Sequence, residues 1–209
     1  METTKQQNAR LRLRVHQLEE LLHTVQYDAH HDHLTGLANR ALLLDRLGVA
    51  IAMADRLHHL VGILAIDLDG FKLVNDEMGH QAGDQILQIV SARLVMCVRV
   101  TDTVARMGGD EFVIVLPNTS GRTLAIVRDK INRSLTQPYL LNKREVVLGA
   151  SIGKFIQGEL PSLPEDMLAE ADDDMYRTKQ LRRHAKELPE MWRDIAATGL
   201  YAPAGVTPH

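Results

Sequence analysis

The 209-residue chain has one cysteine, no excess of charge of either sign, and no apolar run near the ~20 residues a membrane span requires. A single Cys97 excludes an internal disulfide. Its place in an apolar helical stretch suits core packing in a reducing compartment. The polar beginning is no signal peptide, so the expectation is a soluble, cytoplasmic chain with no membrane partner. With 24 Lys and Arg against 27 Asp and Glu, net charge is −3, which gives no overall electrostatic reason to expect nucleic acid. What is there is 45% apolar residues, enough for the core of one domain, with length left over for an appendage.

Residues 1 to about 30 also lack glycine and proline. Their apolar residues Leu11, Val15, Leu18, Leu22 and Val25 alternate spacings of four and three, the seam of a coiled coil, and Asn8 falls on it one step earlier. The alternative is an amphipathic helix lying on its own domain. The Thr35-Gly36 turn ends this stalk, and Asn39 is placed to cap a helix to about Leu57. Leu60–Leu68 is a near-continuous apolar run, as in a strand covered on both faces. A helix is expected from about Gln81 to Val98 and another from Arg122 to about Leu135. Pro138–Leu141 and Glu145–Ile152 read as a hairpin, and Pro164 to about Arg182 as the last helix.

Between the second and third of these helices, two β-branched runs, Thr103–Met107 and Phe112–Leu116, flank Gly108-Gly109. Glycine supplies the positive φ that a tight hairpin turn needs. Asp110 and Glu111 follow the turn directly; they fit either a solvated hairpin tip or a cation site. The order strand, helix, hairpin, helix, strand, helix predicts an α+β fold, a ferredoxin-like and polymerase-palm-like antiparallel sheet flanked by helices. Domain boundaries follow: a coiled-coil helix at 1–30, one domain at 31–184 and a peripheral extension at 185–209.

Asp67 ends a buried strand, where an unpaired carboxylate is expensive. If that strand neighbours the hairpin, Asp67 and Asp110 face one spot, and a hard divalent cation is the natural counterion. Gly70-Phe71-Lys72 then reads as a phosphate loop, and Lys179 and Arg183, one helical turn apart, either join it or form a solvated basic helix end.

Arg106-Met-Gly-Gly-Asp-Glu-Phe112 resembles the signature of the GGDEF family, the bacterial diguanylate cyclases that condense two GTP into cyclic di-GMP. The similarity extends in order through Asp32–Arg40, Asp67–Asp76, Gly79-His80 with Gly83-Asp84, Ser151–Gly153 and Ala171–Lys179. The resemblance implies that Asp67, the Leu68 carbonyl and Asp110 hold Mg²⁺ (or Mn²⁺), with Asp110 or Glu111 helping to activate the attacking 3′-hydroxyl. It implies that Asn75 and Asp84, with His80 in the same segment, bind the guanine end. Gly70, Phe71, Lys72, Lys179 and Arg183 would take the triphosphate. Arg99 and Asp102 resemble the site where cyclic di-GMP binds as an inhibitor, and a homodimer through the stalk would bring two GTP sites together. The alternative is a catalytically silent domain that serves as a cyclic di-GMP or GTP receptor. Three departures from the family's pattern stand out: Arg182-Arg183-His184 in place of Gly-Arg-Asn, Gly149 where threonine is common, and Asp174 in place of a small apolar residue.

Overall fold

Ten residues, Leu60–Asp69, form the central strand β1, and Val61 to Leu68 are all buried. The computed structural model describes residues 4–141, 143–157 and 163–187. Around β1 the chain runs α1 (Thr4–Asp28), α2 (Arg40–Leu57), then β1, α3 (Phe71–Met78), α4 (His80–Val95), β2 (Thr103–Gly108) and β3 (Glu111–Thr119). It continues through α5 (Gly121–Leu135), β4 (Tyr139–Leu141), β5 (Arg144–Val146), β6 (Gly149–Ile156) and α6 (Pro164–Glu187). The main sheet has the order β2-β3-β1-β6 with every pair antiparallel, which is the split β-α-β arrangement.

Strand side chains alternate between faces, and here both faces are covered. Leu64, Ile66 and Leu68 join Ile86 and Val90 of α4 and Leu124 and Ile131 of α5 in one core. Val61, Ile63 and Ala65 join Leu43 and Leu47 of α2 and Met167 and Ala171 of α6 in the other. Each fully buried Leu or Ile contributes roughly 1.5–3 kcal/mol. Gly153 decides how closely α6 approaches: a Cβ there would overlap the backbone of Ala171 and Met175. Without one, α6 lies directly on β6 and carries its later turns over the end of β1.

Four local readings change. Gly70, with φ +91, caps a helix rather than opening a loop, and Phe71 and Val74 bury the inner face of α3. The second hairpin is only β4 with β5; the chain breaks at Val147-Leu148, Leu148 enters the first core, and β6 leaves to pair with the free edge of β1. Helix α4 stops at Val95, short of Val98, and α6 runs on to Glu187, past Arg182. The extension beyond residue 187 lies outside the described residues. Helix α1 is present, with Leu11, Val15, Leu18, Leu22 and Val25 all exposed; the side chain of Asn8 lies outside the description.

Candidate functional site

The site is assembled by the register of β1 against its neighbours. Asp67 pairs with Glu111 of β3 on one side and with Ser151 of β6 on the other. By alternation Asp67 continues the Val61, Ile63, Ala65 series and Glu111 the Val115, Val113 series, so both belong to the face covered by α2 and α6. The β2–β3 turn, with Gly108 at φ +149 and Gly109 at φ +50, sets Asp110 beside them. From α6 come Asp172, whose charge reaches Glu111, and Lys179, whose Nζ lies 2.7 Å from Asp67 Oδ2.

Four carboxylates thus share one end of the sheet with one lysine. Burial, followed by the charge of Asp67, raises the pKa of Asp110. Burial, followed by the charges of Asp172, Asp67 and Asp110, raises that of Glu111. Asp67 is 6% exposed, and its Oδ1 is buried with no hydrogen-bond partner. An orphaned carboxylate oxygen below two acids held in excess of their counter-charge fits a hard cation with all-oxygen ligands, Mg²⁺ or Mn²⁺. Among the described residues no three acids, histidines or cysteines stand close enough to enclose an ion alone.

Next to the acids, Gly70 starts α3, so the amides of Phe71 and Lys72 lie in a first helical turn where the helix supplies no acceptor. Such amides suit an anion. The Lys72 side chain is exposed, whereas the Phe71 ring is buried and only its backbone amide faces outward from the helix start. Asn75 is half-buried on α3, while His80 and Asp84 are exposed on the first turns of α4. A Cβ at Gly83 would overlap Asn75 Oδ1 and crowd the Phe71 ring, so glycine there lets Asn75 keep its position.

Arg183 is exposed; its neighbour Arg182 makes the inward contacts instead. Arg182 NH1 donates to Asp69 Oδ2 (3.2 Å) and to the Ala150 carbonyl (2.5 Å). Ser151 Oγ donates to Asp69 Oδ1 (2.8 Å), and a Cβ at Gly149 would stand 3.0 Å from Asp69 Oδ2. Two of the sequence departures, Arg182 and Gly149, are therefore two sides of one seat for Asp69. The third has its own contact: Asp174 Oδ2 accepts from the Lys154 amide.

Arg99 and Asp102 stand apart from the acids, before β2, roughly 17 Å down a strand of five steps. The Arg99 amide donates to Asp102 Oδ2 (2.8 Å), and the exposed Arg99 lines a groove with Arg46 and His31.

One contact of the β2–β3 hairpin has no local signal in the sequence. Arg106 Nε and NH2 donate to the Gly109 carbonyl at 3.0 and 2.8 Å, while NH1 reaches Asp32 Oδ1 and Oδ2 at 3.0 and 3.1 Å. Asp32 also accepts from the amide and hydroxyl of Thr35. Burial opposes the charge of Asp32, but the bonds from Thr35 and Arg106 outweigh it and its pKa is lowered. One guanidinium therefore ties the turn beneath α1 to the residue before Asp110.

A family profile described as "Diguanylate cyclase, GGDEF domain" matches residues 29–185. Over 154 residues the chain is 40% identical to the bifunctional diguanylate cyclase/cyclic di-GMP phosphodiesterase MucR of Pseudomonas aeruginosa, covering 74% of this chain and 22% of MucR. Over 167 residues it is 37% identical to the diguanylate cyclase TpbB of the same organism, covering 79% of this chain and 38% of TpbB. The matches thus span about a fifth to two fifths of these relatives. Among solved structures, the coiled coil and GGDEF domain of DgcB from Caulobacter crescentus, in complex with c-di-GMP, superposes with a TM-score of 0.77 at 26% identity. That match covers 84% of this chain and 94% of the DgcB chain.

Proposed function

The chain belongs to the GGDEF diguanylate cyclase family, and on that footing we propose that it condenses two GTP into cyclic di-GMP, with two pyrophosphates leaving. Each subunit of a homodimer binds one GTP, and each 3′-hydroxyl attacks the α-phosphate held by the other subunit. The observation that carries the reading is Asp67 with its partnerless Oδ1, set between Glu111, Asp110 and Lys179 at the end of β1.

Asp67, the Leu68 carbonyl and Asp110 would hold Mg²⁺ (or Mn²⁺), which when bound neutralises phosphate charge as the leaving group departs. Asp110 or Glu111, both with raised proton affinity, would help accept the proton of the attacking hydroxyl. The first amides of α3, Lys72 and Lys179 orient the triphosphate, with Arg183 at the rim. Asn75 and Asp84 read the guanine edge with His80 beside them; a carboxylate accepts from guanine N1–H and its exocyclic amine, a pattern adenine lacks. Helix α1 pairs with that of a second subunit along Leu11, Val15, Leu18, Leu22 and Val25, whose exposure in the single chain supports a partner there. Cyclic di-GMP returns to Arg99 and Asp102 as an inhibitor, the exposed guanidinium offering a fork to phosphate or guanine.

The test is incubation of the pure protein with GTP and Mg²⁺ and chromatographic identification of the products. Cyclic di-GMP and pyrophosphate are expected in a ratio of one to two. GTP bound but unconsumed would identify a receptor instead.

A further inference from the structure

We infer that Lys179, held on Asp67 Oδ2 beside the partnerless Oδ1, competes with the metal for that carboxylate until a triphosphate draws it away, so that metal binds strongly only together with nucleotide. The inference rests on the reading of Asp67 as a metal ligand. The Asp67 and Lys179 side chains are 9% and 27% exposed, and their contact is 2.7 Å. One carboxylate oxygen is committed to the ammonium while the other has no partner. A dication ligated by Asp67 would stand against that ammonium, and partial burial strengthens the repulsion. The lysine therefore weakens the metal's hold on Oδ1 until it moves off Oδ2.

It is free to do so. Among the described residues, Asp67 Oδ2 is the hydrogen-bond acceptor of Lys179, and the four-carbon stem lets the ammonium swing. With protein alone, moving away leaves a cation without a partner. A bound triphosphate, anchored at the first turn of α3, offers oxygens in exchange. Lysine then moves to phosphate, and the cation that replaces it on Asp67 carries two charges toward the cluster of Asp67, Asp110, Glu111 and Asp172. Metal and nucleotide so become mutually dependent ligands, and the dependence is reciprocal. A site closed by a lysine also holds little metal between turnovers.

Titration with Mn²⁺ alone, followed by loss of the free-ion paramagnetic resonance signal, reads metal binding without nucleotide or turnover. Lys179→Met should bind Mn²⁺ on the order of tenfold or more tighter than the unsubstituted protein, the scale of ordinary coupling between ligands. Lys179→Arg should stay weak, and adding Asp67→Asn to Lys179→Met should remove the gain. Lys179→Gln, which keeps a donor without the charge, replaces Lys179→Met if circular dichroism shows the latter unfolded. If the uncharged variant binds no tighter while Asp67→Asn still weakens Mn²⁺ binding, the competition is wrong and the metal assignment stands. If Asp67→Asn changes nothing in either background, both are wrong.

Discussion

Arg106 offers the sharpest test of how the Gly108-Gly109 turn is held. Its side chain and that of Asp32 are 11% and 16% exposed, so their charges are only partly solvated. Arg106→Ala removes two charge-assisted contacts to Asp32 and two to the Gly109 carbonyl. Breaking a buried pair by deleting one partner costs about 3–5 kcal/mol. Asp32 keeps both bonds from Thr35, which argues for the lower end, about 3 kcal/mol. For a chain of this size that is a fall in Tm of roughly 6–12 °C. Chemical denaturation of the two single variants and the double variant with Asp32→Ala should give a coupling of about 1.5 kcal/mol or more. Turnover adds a second readout, because Arg106 Nε and NH2 hold the Gly109 carbonyl. Arg106→Lys should recover much of the stability through a point charge near Asp32. It cannot hold both partners, and kcat should still fall on the order of tenfold or more. Additivity of the single variants within about 0.5 kcal/mol, or full turnover in Arg106→Lys, would refute the argument.

Four further outcomes follow from the same geometry. Gly83→Ala should push Asn75 aside and erode the preference for GTP over ATP, measured by competition binding; unchanged discrimination would remove Asn75 from the base site. Asp110 and Glu111 have raised pKa values, so the folded chain holds their protons more tightly than the unfolded chain does. The cost of burying their charges, added to by Asp67 and the neighbouring acids, is therefore absent in acid and grows as pH rises through the raised values. Asp110→Asn should accordingly abolish turnover yet raise Tm in metal-free buffer at neutral pH, with the gain vanishing in acid; the opposite trend would show that the cluster is not repulsive. Asp32 runs the other way, its contribution present above the ordinary carboxylate range and lost as pH falls through its lowered value. Deleting residues 1–28 should make specific activity rise steeply with protein concentration, whereas a flat dependence would reduce α1 to a tether.

Much of this molecule is written in stretches of a few residues. The Leu60–Leu68 run, the Gly-Gly turn between β-branched runs and the Asn39 cap of α2 each follow from neighbours in the chain. The acids are legible for the same reason: a carboxylate ending an apolar strand and two more after a glycine turn are local anomalies. Helix α3 was hidden because its eight residues are too few for periodicity to show, and because Gly70 looks alike as a loop residue and as a left-handed cap. The split of β5 from β6 was hidden because a continuous β-prone stretch does not say which edge it will join.

What only the tertiary structure decided is which charged side chains meet. Arg106 lies 74 residues from Asp32, Arg182 lies 113 from Asp69, and Lys179 lies 112 from Asp67. Nothing within a helical turn of any of them announces the partner. Arg182 and Arg183 are adjacent arginines with equal local prospects, yet one is half-buried against Asp69 and the other is exposed. The choice comes from how α6 lies on β6, and Gly153 permits that approach by having no Cβ where the Ala171 and Met175 backbone passes. Local chemistry fixes the elements and the kinds of residue at the site; the pairing of those residues is a property of packing, because only packing brings distant backbones to one place.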